Sequence, residues 1–453
     1  MSILELLADA QPTGLTGSVV ETTGLLATVA DLPAPVGAVV QIGAAGGAGV
    51  EAEVVGFRGR LTMVSPLGPL AGVRRGQPVR LKHTKRRIAV GDGLLGRVVD
   101  ASGAPIDGLP RPALSHRTPI DAPPTRALDR PPIRAPLATG VRAIDALLTC
   151  GRGQRLGVFA GSGVGKSTLL GMMTRYTSAD VVVTALVGER GREVNEFLEN
   201  DLGPDGRRKS VVVVATSDEP AVMRVRAAST ASAIAEHFRD TGKHVLLLVD
   251  SLTRTALASR ESGLAAGEPP TTRGYPPSTF ALLPKIVERA GATRAGSITA
   301  FYSVLVEGDD PDDPIADCLR GLLDGHVWLS RRLAGKGHFP SIDVTQSISR
   351  LAPQITPPEQ QQAAARLRGM LAALAENEDL ISIGAYRRGA NAEVDAALDL
   401  RSEIDDFLRQ RVDEPSDPAE AASRLAQIAQ KAAAAGRPRP AGVAAAQPLR
   451  PAN

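Results

Sequence analysis

Residues 155–170 read Arg-Leu-Gly-Val-Phe-Ala-Gly-Ser-Gly-Val-Gly-Lys-Ser-Thr-Leu-Leu, and few folds can accommodate that order. An apolar run from Leu156 to Ala160 enters a turn containing Gly161, Gly163 and Gly165, and a helical pattern starts at Lys166. Strand, glycine-rich turn and helix in that succession converge backbone N–H groups on one point with no Cβ in the way, which makes a cradle for phosphate. The candidate cradle is Gly161, Ser162, Gly163, Val164, Gly165, Lys166, Ser167 and Thr168. Lys166 is placed to reach β- and γ-phosphates, and the Ser167 hydroxyl to ligate Mg2+. The pattern G-x-x-x-x-G-K-[ST] begins with glycine where this chain has Ala160. Read alone, the stretch therefore also fits a glycine-rich turn with a surface lysine.

The surrounding sequence extends the same architecture. Between 155 and about 350, short Val/Leu runs (155–160, 181–187, 211–215, 245–249, 298–305 and 326–329) alternate with helical patterns such as 220–240. Apolar strands separated by helices predict a parallel sheet covered on both faces. Upstream, short β-type runs at 18–21, 38–42, 51–55, 61–64 and 78–81, punctuated by Gly and Pro, predict a small barrel. Nine prolines between 101 and 137 predict an extended strap, and Thr139-Gly-Val-Arg-Ala-Ile-Asp145 a short helix after it. Residues 358–436 turn helical, with Leu367, Met370, Leu371 and Leu374 on one face and Leu400, Ile404, Phe407 and Leu408 on another. The predicted organisation is an N-terminal segment (1–16), a barrel (17–92), an α/β core (93–355), a helical domain (356–436) and a disordered tail rich in Ala, Pro and Arg (437–453). Residues 2–10 either fray or form a short helix that docks a partner.

Composition excludes several classes. At 453 residues, 43% hydrophobic and 22% charged, the chain reads as a globular protein of two or three domains. The net charge of +3 comes from scattered arginines, and the densest basic run is Lys82-His-Thr-Lys-Arg-Arg87. A barrel that reads single-stranded nucleic acid needs aromatic stacking platforms. Phe57 is the sole aromatic in the first 150 residues, so no specific nucleic acid is expected. Cys150 and Cys318 lie far apart without metal-ligand spacing, as in a reduced cytoplasmic protein. The start, MSILELLADA, lacks a signal-peptide pattern, and no apolar run reaches the length of about 18 residues that a membrane helix needs. Membrane association is expected only through a partner.

A phosphate loop needs a second, acidic strand end to hold Mg2+ through water. His244-Val-Leu-Leu-Leu-Val-Asp250 supplies one, although Asp250 would also cap the helix that follows. Hydrolysis further needs a group that orients the attacking water. Glu189, in Leu186-Val-Gly-Glu-Arg-Gly-Arg-Glu-Val194, follows the strand 181–187. Parallel strands bring their carboxyl ends to one edge, which places Glu189 toward the γ-phosphate. Read alone, Glu-Arg-Gly-Arg-Glu also fits a surface loop of mixed charge.

The stretches 160–167, 188–194 and 250–254 closely resemble the ATPase of type III protein export. So do Gly-Glu-Pro-Pro-Thr-Thr-Arg-Gly-Tyr-Pro-Pro-Ser (267–278), Val-Glu-Gly-Asp-Asp (306–310) and Ser-Ile-Ser-Arg (347–350). That family comprises the flagellar export ATPase and its virulence-secretion relatives, and is similar to the catalytic β subunit of rotary ATP synthases. The likeness runs in order from about residue 15 to 415, and Ala160 is the usual form in it. It implies a RecA-like P-loop NTPase core with an N-terminal small β-barrel and a C-terminal helical domain. It also implies a homohexamer that hydrolyses ATP with Mg2+ to energise or gate protein export.

By position, the resemblance makes Lys166 and Ser167 the phosphate and Mg2+ residues, Glu189 the catalytic carboxylate, Asp250 the Walker B aspartate and Arg190 an active-site arginine. Arg350 matches an arginine finger given to the neighbouring subunit. Phe339 stands where the family often has Tyr, and either ring can stack on adenine. The loop with Glu307, Asp309 and Asp310 aligns with one that faces the central pore and a stalk protein, and also fits a solvated acidic turn. Other implied partners are a stator-like regulator at the N-terminus, export substrates and chaperones, and an export gate. The implied place is cytoplasmic, peripheral at the inner-membrane export apparatus. Asp-Pro-Ile-Ala-Asp (313–317) looks more like the flagellar branch.

Three other readings compete. The catalytic subunit of a proton-translocating rotary ATPase would need a noncatalytic companion chain. A terminator-type RNA translocase shares the core but needs an aromatic RNA-binding barrel. A regulatory nucleotide-binding subunit would tend to replace the catalytic glutamate, which is present here as Glu189.

Overall fold

The computed structural model describes residues 14–43, 49–306 and 313–435. Most of the expected docking segment 1–16, the loop with Glu307, Asp309 and Asp310, and the tail 437–453 lie outside the described residues.

Six antiparallel strands close a barrel: Thr16–Thr23, Leu26–Ala30, Val39–Ile42, Val50–Arg58, Leu61–Pro66 and Pro78–His83. The first strand pairs with both the second and the sixth, which removes any open edge. Val29, Val40, Ile42, Val54, Val64 and Val79 fill the interior and are each 0% exposed. Of the six strands, Leu26–Ala30 escapes the sequence reading because its two alanines dilute the apolar signal, yet Ala27 and Val29 both point inward. Glu53 at the barrel surface accepts from Arg226 at 2.6 Å and from Arg86 at 2.7 Å, which ties the barrel to a core helix.

The core is a sheet in the order Ile348–Ser349, Gly325–Leu329, Arg155–Ala160, Ser297–Leu305, His244–Asp250, Val181–Glu189, Ser210–Thr216 and Val98–Asp100. All pairings along this path are parallel except that of the Ile348–Ser349 edge. The central strands are buried on both faces, as continuous Val/Leu runs require. The helix Lys166–Tyr176 covers one face, and Ala221–Asp240 and Leu252–Ala265 cover the other. Between Pro105 and Pro136 the chain runs mostly as irregular backbone, with one short strand, His116–Pro119, pairing with Arg87–Val90.

The C-terminal helices Pro358–Glu376, Ala392–Asp399, Arg401–Leu408 and Pro418–Ala435 pack on the face that holds the Lys166 helix. Leu367, Met370, Phe407 and Leu425 anchor them, each at most 1% exposed. Arg142 donates to the carbonyls of Asp406, Phe407 and Arg409 at the end of the Arg401–Leu408 helix, where carbonyls lack intrahelical partners and a cation suits the dipole. No described helix is long and apolar enough to cross a membrane.

Candidate active site

The strand ending at Ala160 and the strand ending at Asp250 are parallel and separated by one strand, Ser297–Leu305. Two inter-strand spacings amount to about 10 Å, a gap that a lysine and an aspartate reaching toward each other can bridge. Lys166 and Asp250 do so. The lysine ammonium is bonded to Oδ1 of Asp250 and lies 3.8 Å from Oε1 of Glu189. Asp250 Oδ1 also accepts from the hydroxyl of Ser303, at 2.6 Å, on the intervening strand. The carboxylate of Asp250 is 3% exposed. A carboxylate so withdrawn from water requires a cation, and here the lysine supplies it.

The loop that presents Lys166 depends on backbone freedom. Gly165 caps the Lys166–Tyr176 helix at φ 88°, a left-handed conformation that suits glycine. A Cβ there would also lie 3.4 Å from two ring carbons of Phe339. The Phe339 ring thus sits directly against the phosphate loop, and it is 45% exposed. Ser341 donates to the carbonyl of Val164 at 2.6 Å, and the backbone N–H of Gln410 donates to the carbonyl of Phe339 at 3.0 Å. Loop, aromatic segment and the link after the Arg401–Leu408 helix are therefore tied together. Ser162 and Ser167 are exposed at the mouth of the loop, and Gly161 is buried. The Thr168 side chain instead bonds the carboxyl of Asp201, on the segment that packs against the helix.

Glu189 ends the strand Val181–Glu189 and is 12% exposed at its side chain. Burial pushes its carboxyl up to about 7, reinforced by a hydrogen bond to Glu193 and by the charge of Asp250. Glu193 moves the opposite way, held low by that same bond. Arg254, one turn into the helix after Asp250, opposes the shift: its Nη1 is 2.8 Å from Glu189 Oε2 and also donates to the carbonyl of Gly188. Gly188 takes φ 68°, and a Cβ there would crowd Arg254 Cδ at 3.2 Å. Arg254 and Ser303 are the site residues that sequence reasoning misses. The signal for Arg254 was the last letter of Asp-Ser-Leu-Thr-Arg; Ser303 is one of four hydroxyl residues in its strand, and nothing in the sequence sets it apart.

Two expected residues sit apart. Arg190 caps the helix Gly191–Glu196, is 76% exposed and pairs with Glu193 at 3.3 Å. Arg350 follows the edge strand Ile348–Ser349 and is exposed. Its backbone N–H donates to the carbonyl of Asp324, whose own N–H donates to the carbonyl of Arg155. Arg350 is therefore level with the start of the strand Arg155–Ala160, whereas the phosphate loop leaves its end. Five residues at about 3.3 Å each put the two some 17 Å apart along the strand direction alone. Of the expected set, the chain brings together Lys166, Asp250, Glu189 and Phe339, and directs Arg350 away. Among the described residues no cluster of His, Cys, Asp and Glu has the makings of a self-sufficient metal site.

The sequence model of the ATP synthase alpha/beta family nucleotide-binding domain matches residues 140–349, and that of the T3SS EscN ATPase C-terminal domain matches residues 356–427. The chain is 52% identical over 367 residues to a flagellum-specific ATP synthase of Bacillus subtilis, covering 81% of this chain and 84% of that protein. It is 50% identical over 377 residues to the SPI-2 type 3 secretion system ATPase of Salmonella typhimurium, covering 83% and 87% respectively. The assembled ATPase EscN of the enteropathogenic E. coli type III secretion system superposes with a TM-score of 0.87 at 44% identity, over 91% of this chain and 100% of that one. EscN in complex with its central stalk EscO gives 0.85 at 43% identity, with the same coverage.

Proposed function

Since this chain belongs to the family of flagellum-specific and type III secretion ATPases, we propose that it works as a homohexameric, Mg2+-dependent ATPase in which each site is completed by the neighbouring subunit. The observation that carries this reading is the split arrangement. One strand bears Lys166 beyond its carboxyl end, while Arg350 stands exposed at its amino end, out of reach of the chain's own phosphate loop. A ring of identical subunits brings one end to the other.

Within a subunit, Lys166 leaves its carboxylates for the β- and γ-phosphate oxygens when ATP enters. The residues present suit Mg2+: Ser167 is exposed in the first helical turn, and Asp250 holds a buried carboxylate that already takes a cation. When bound, Mg2+ neutralises phosphate charge as it develops in transfer. Glu189 accepts a proton from the attacking water and keeps it oriented, while Arg254 fixes the carboxylate. Arg190, exposed at the same loop, can swing toward the released phosphate. Phe339 offers its ring to adenine. Arg350 from the next subunit approaches the γ-phosphate, a contribution generally worth about 10³–10⁵ in rate.

The assembled ring would act in the cytoplasm, peripheral to an inner-membrane export apparatus. The acidic loop with Glu307, Asp309 and Asp310 would face a central stalk, and the N-terminal segment would meet a stator-like regulator. Export substrates, their chaperones and an export gate are the remaining partners. ATPase activity per subunit, measured against protein concentration with oligomeric state followed by light scattering, tests the proposal. Activity rises in step with the hexamer fraction; constant activity in dilute monomer overturns it.

A further inference from the structure

We infer that Gln154 is a positioning residue for Arg350, and that it holds the finger a subunit gives to its neighbour without serving that subunit's own phosphate site. The inference rests on the proposal that Arg350 acts in trans.

Gln154 precedes the strand Arg155–Ala160 and is 0% exposed. A buried amide requires partners for both ends of its side chain, and each one here is specific. Its Oε1 accepts from the N–H of Gly151 at 2.8 Å, which anchors the side chain in the turn before the strand. Its Nε2 donates to the carbonyl of Asp324 at 3.2 Å and to Oγ of Ser349 at 3.0 Å. Both groups lie at the backbone of Arg350, alongside the ladder that pairs Ser349 with Gly325 and Ile348 with His326. Ser349 is the residue just before the finger, and its hydroxyl is pinned a second time by donating to the carbonyl of Thr149 at 2.9 Å. The Asp324 carbonyl is the acceptor of the Arg350 N–H, at 2.9 Å. The Asp324 carboxylate in turn accepts from the N–H and Nε of Arg155, at 3.0 and 3.2 Å.

A single buried side chain thus bonds Ser349 directly and shares with the Arg350 N–H the carbonyl of Asp324, which ties this corner to the strand that carries the phosphate loop. Among the described residues, the side chain of Arg350 makes one hydrogen bond, a long one from Nη2 to the carbonyl of Arg320 at 3.4 Å. The guanidinium is left to move, so its aim depends on where its backbone is held. Nothing in this clamp touches the phosphate loop, five residues further along the strand. Loss of Gln154 should therefore spoil catalysis in the neighbour while leaving nucleotide binding in its own subunit intact.

Mixed-ring complementation separates this role from a general structural one. Rings of Gln154→Ala alone are expected to lose about 10²-fold in kcat, the scale of misplacing a catalytic group by an ångström, with binding of a fluorescent ADP analogue unchanged. Mixed with Lys166→Ala, which supplies a sound finger and a dead phosphate loop, Gln154→Ala regains activity at roughly a quarter of the interfaces. Mixed with Arg350→Ala, it regains none. Ser349→Ala, a milder change at the other end of the clamp, is expected to follow the same pattern with a smaller loss. Recovery of Arg350→Ala but of neither clamp variant in mixtures with Lys166→Ala overturns the positioning role and leaves the finger in place. No recovery of Arg350→Ala overturns both.

Discussion

Nη1 of Arg254 lies 2.8 Å from Oε2 of Glu189. The residue proposed to orient water is thus itself oriented, by a side chain on the helix that follows the Asp250 strand. Two neighbouring strands of the sheet meet in this pair, Glu189 at the end of one and Arg254 just past the end of the other.

Replacing Glu189 by Gln keeps the shape and removes the proposed base. Hydrolysis should fall by about 10²–10⁴-fold, the usual contribution of a positioned acid or base, while nucleotide still binds. Single-turnover hydrolysis and equilibrium binding check this, and retained turnover removes Glu189 from its role. The titration gives a second signature. Burial raises the Glu189 carboxyl to about 7, so in the free protein it is protonated on the acid side of neutrality and cannot take a proton from water. The kcat/KM profile should fall below about pH 7. For stability the sign is opposite: between the ordinary carboxylate range and about 7 the folded state binds more protons than the unfolded one, so this group's contribution declines as pH rises. The Tm gap between Glu189→Gln and wild type should therefore widen in favour of the variant from pH 5 to 8.

Arg254→Gln should leave nucleotide binding near normal and lower kcat by about 10–100-fold, because the carboxylate loses its aim. Arg254 also holds the Glu189 carboxyl down against burial. Without it the acidic limb of kcat/KM moves to higher pH. An unchanged limb contradicts a direct electrostatic link between the two residues.

Much of this site was legible in the sequence, and the exceptions have physical reasons. Lys166, Asp250 and Glu189 were visible because strand ends and a glycine turn leave local signatures. The five-run barrel lacked its second strand because alanines carry a weak apolar signal. Arg254, Ser303 and Gln154 were missed for a different reason. Their roles arise from strand order: Ser303 matters because its strand lies between those of Lys166 and Asp250, and Gln154 because an edge strand folds back beside Asp324. Spacing along a chain does not reveal which strands become neighbours. The placement of Arg350 was suggested by family resemblance, and the register of the sheet supplies its physical reason.

Phe339 should govern the base and not the phosphates. Phe339→Ala is expected to raise the KM for ATP by about tenfold, the scale of a lost base–aromatic stack, with kcat close to wild type. Phe339→Tyr should be nearly silent. A fall in kcat without a change in KM would instead point to collapse of the loop at Gly165, which the ring contacts.

The central claim is that a catalytic site is shared between subunits, and mixing two dead variants tests it most directly. Lys166→Ala lacks the phosphate lysine and keeps its finger; Arg350→Ala keeps the lysine and lacks the finger. Each alone should be inactive. Combined in equal amounts and reassembled, they should recover activity at roughly a quarter of interfaces, where an intact Lys166 meets an intact Arg350. A mixture no more active than its separate components would contradict the account.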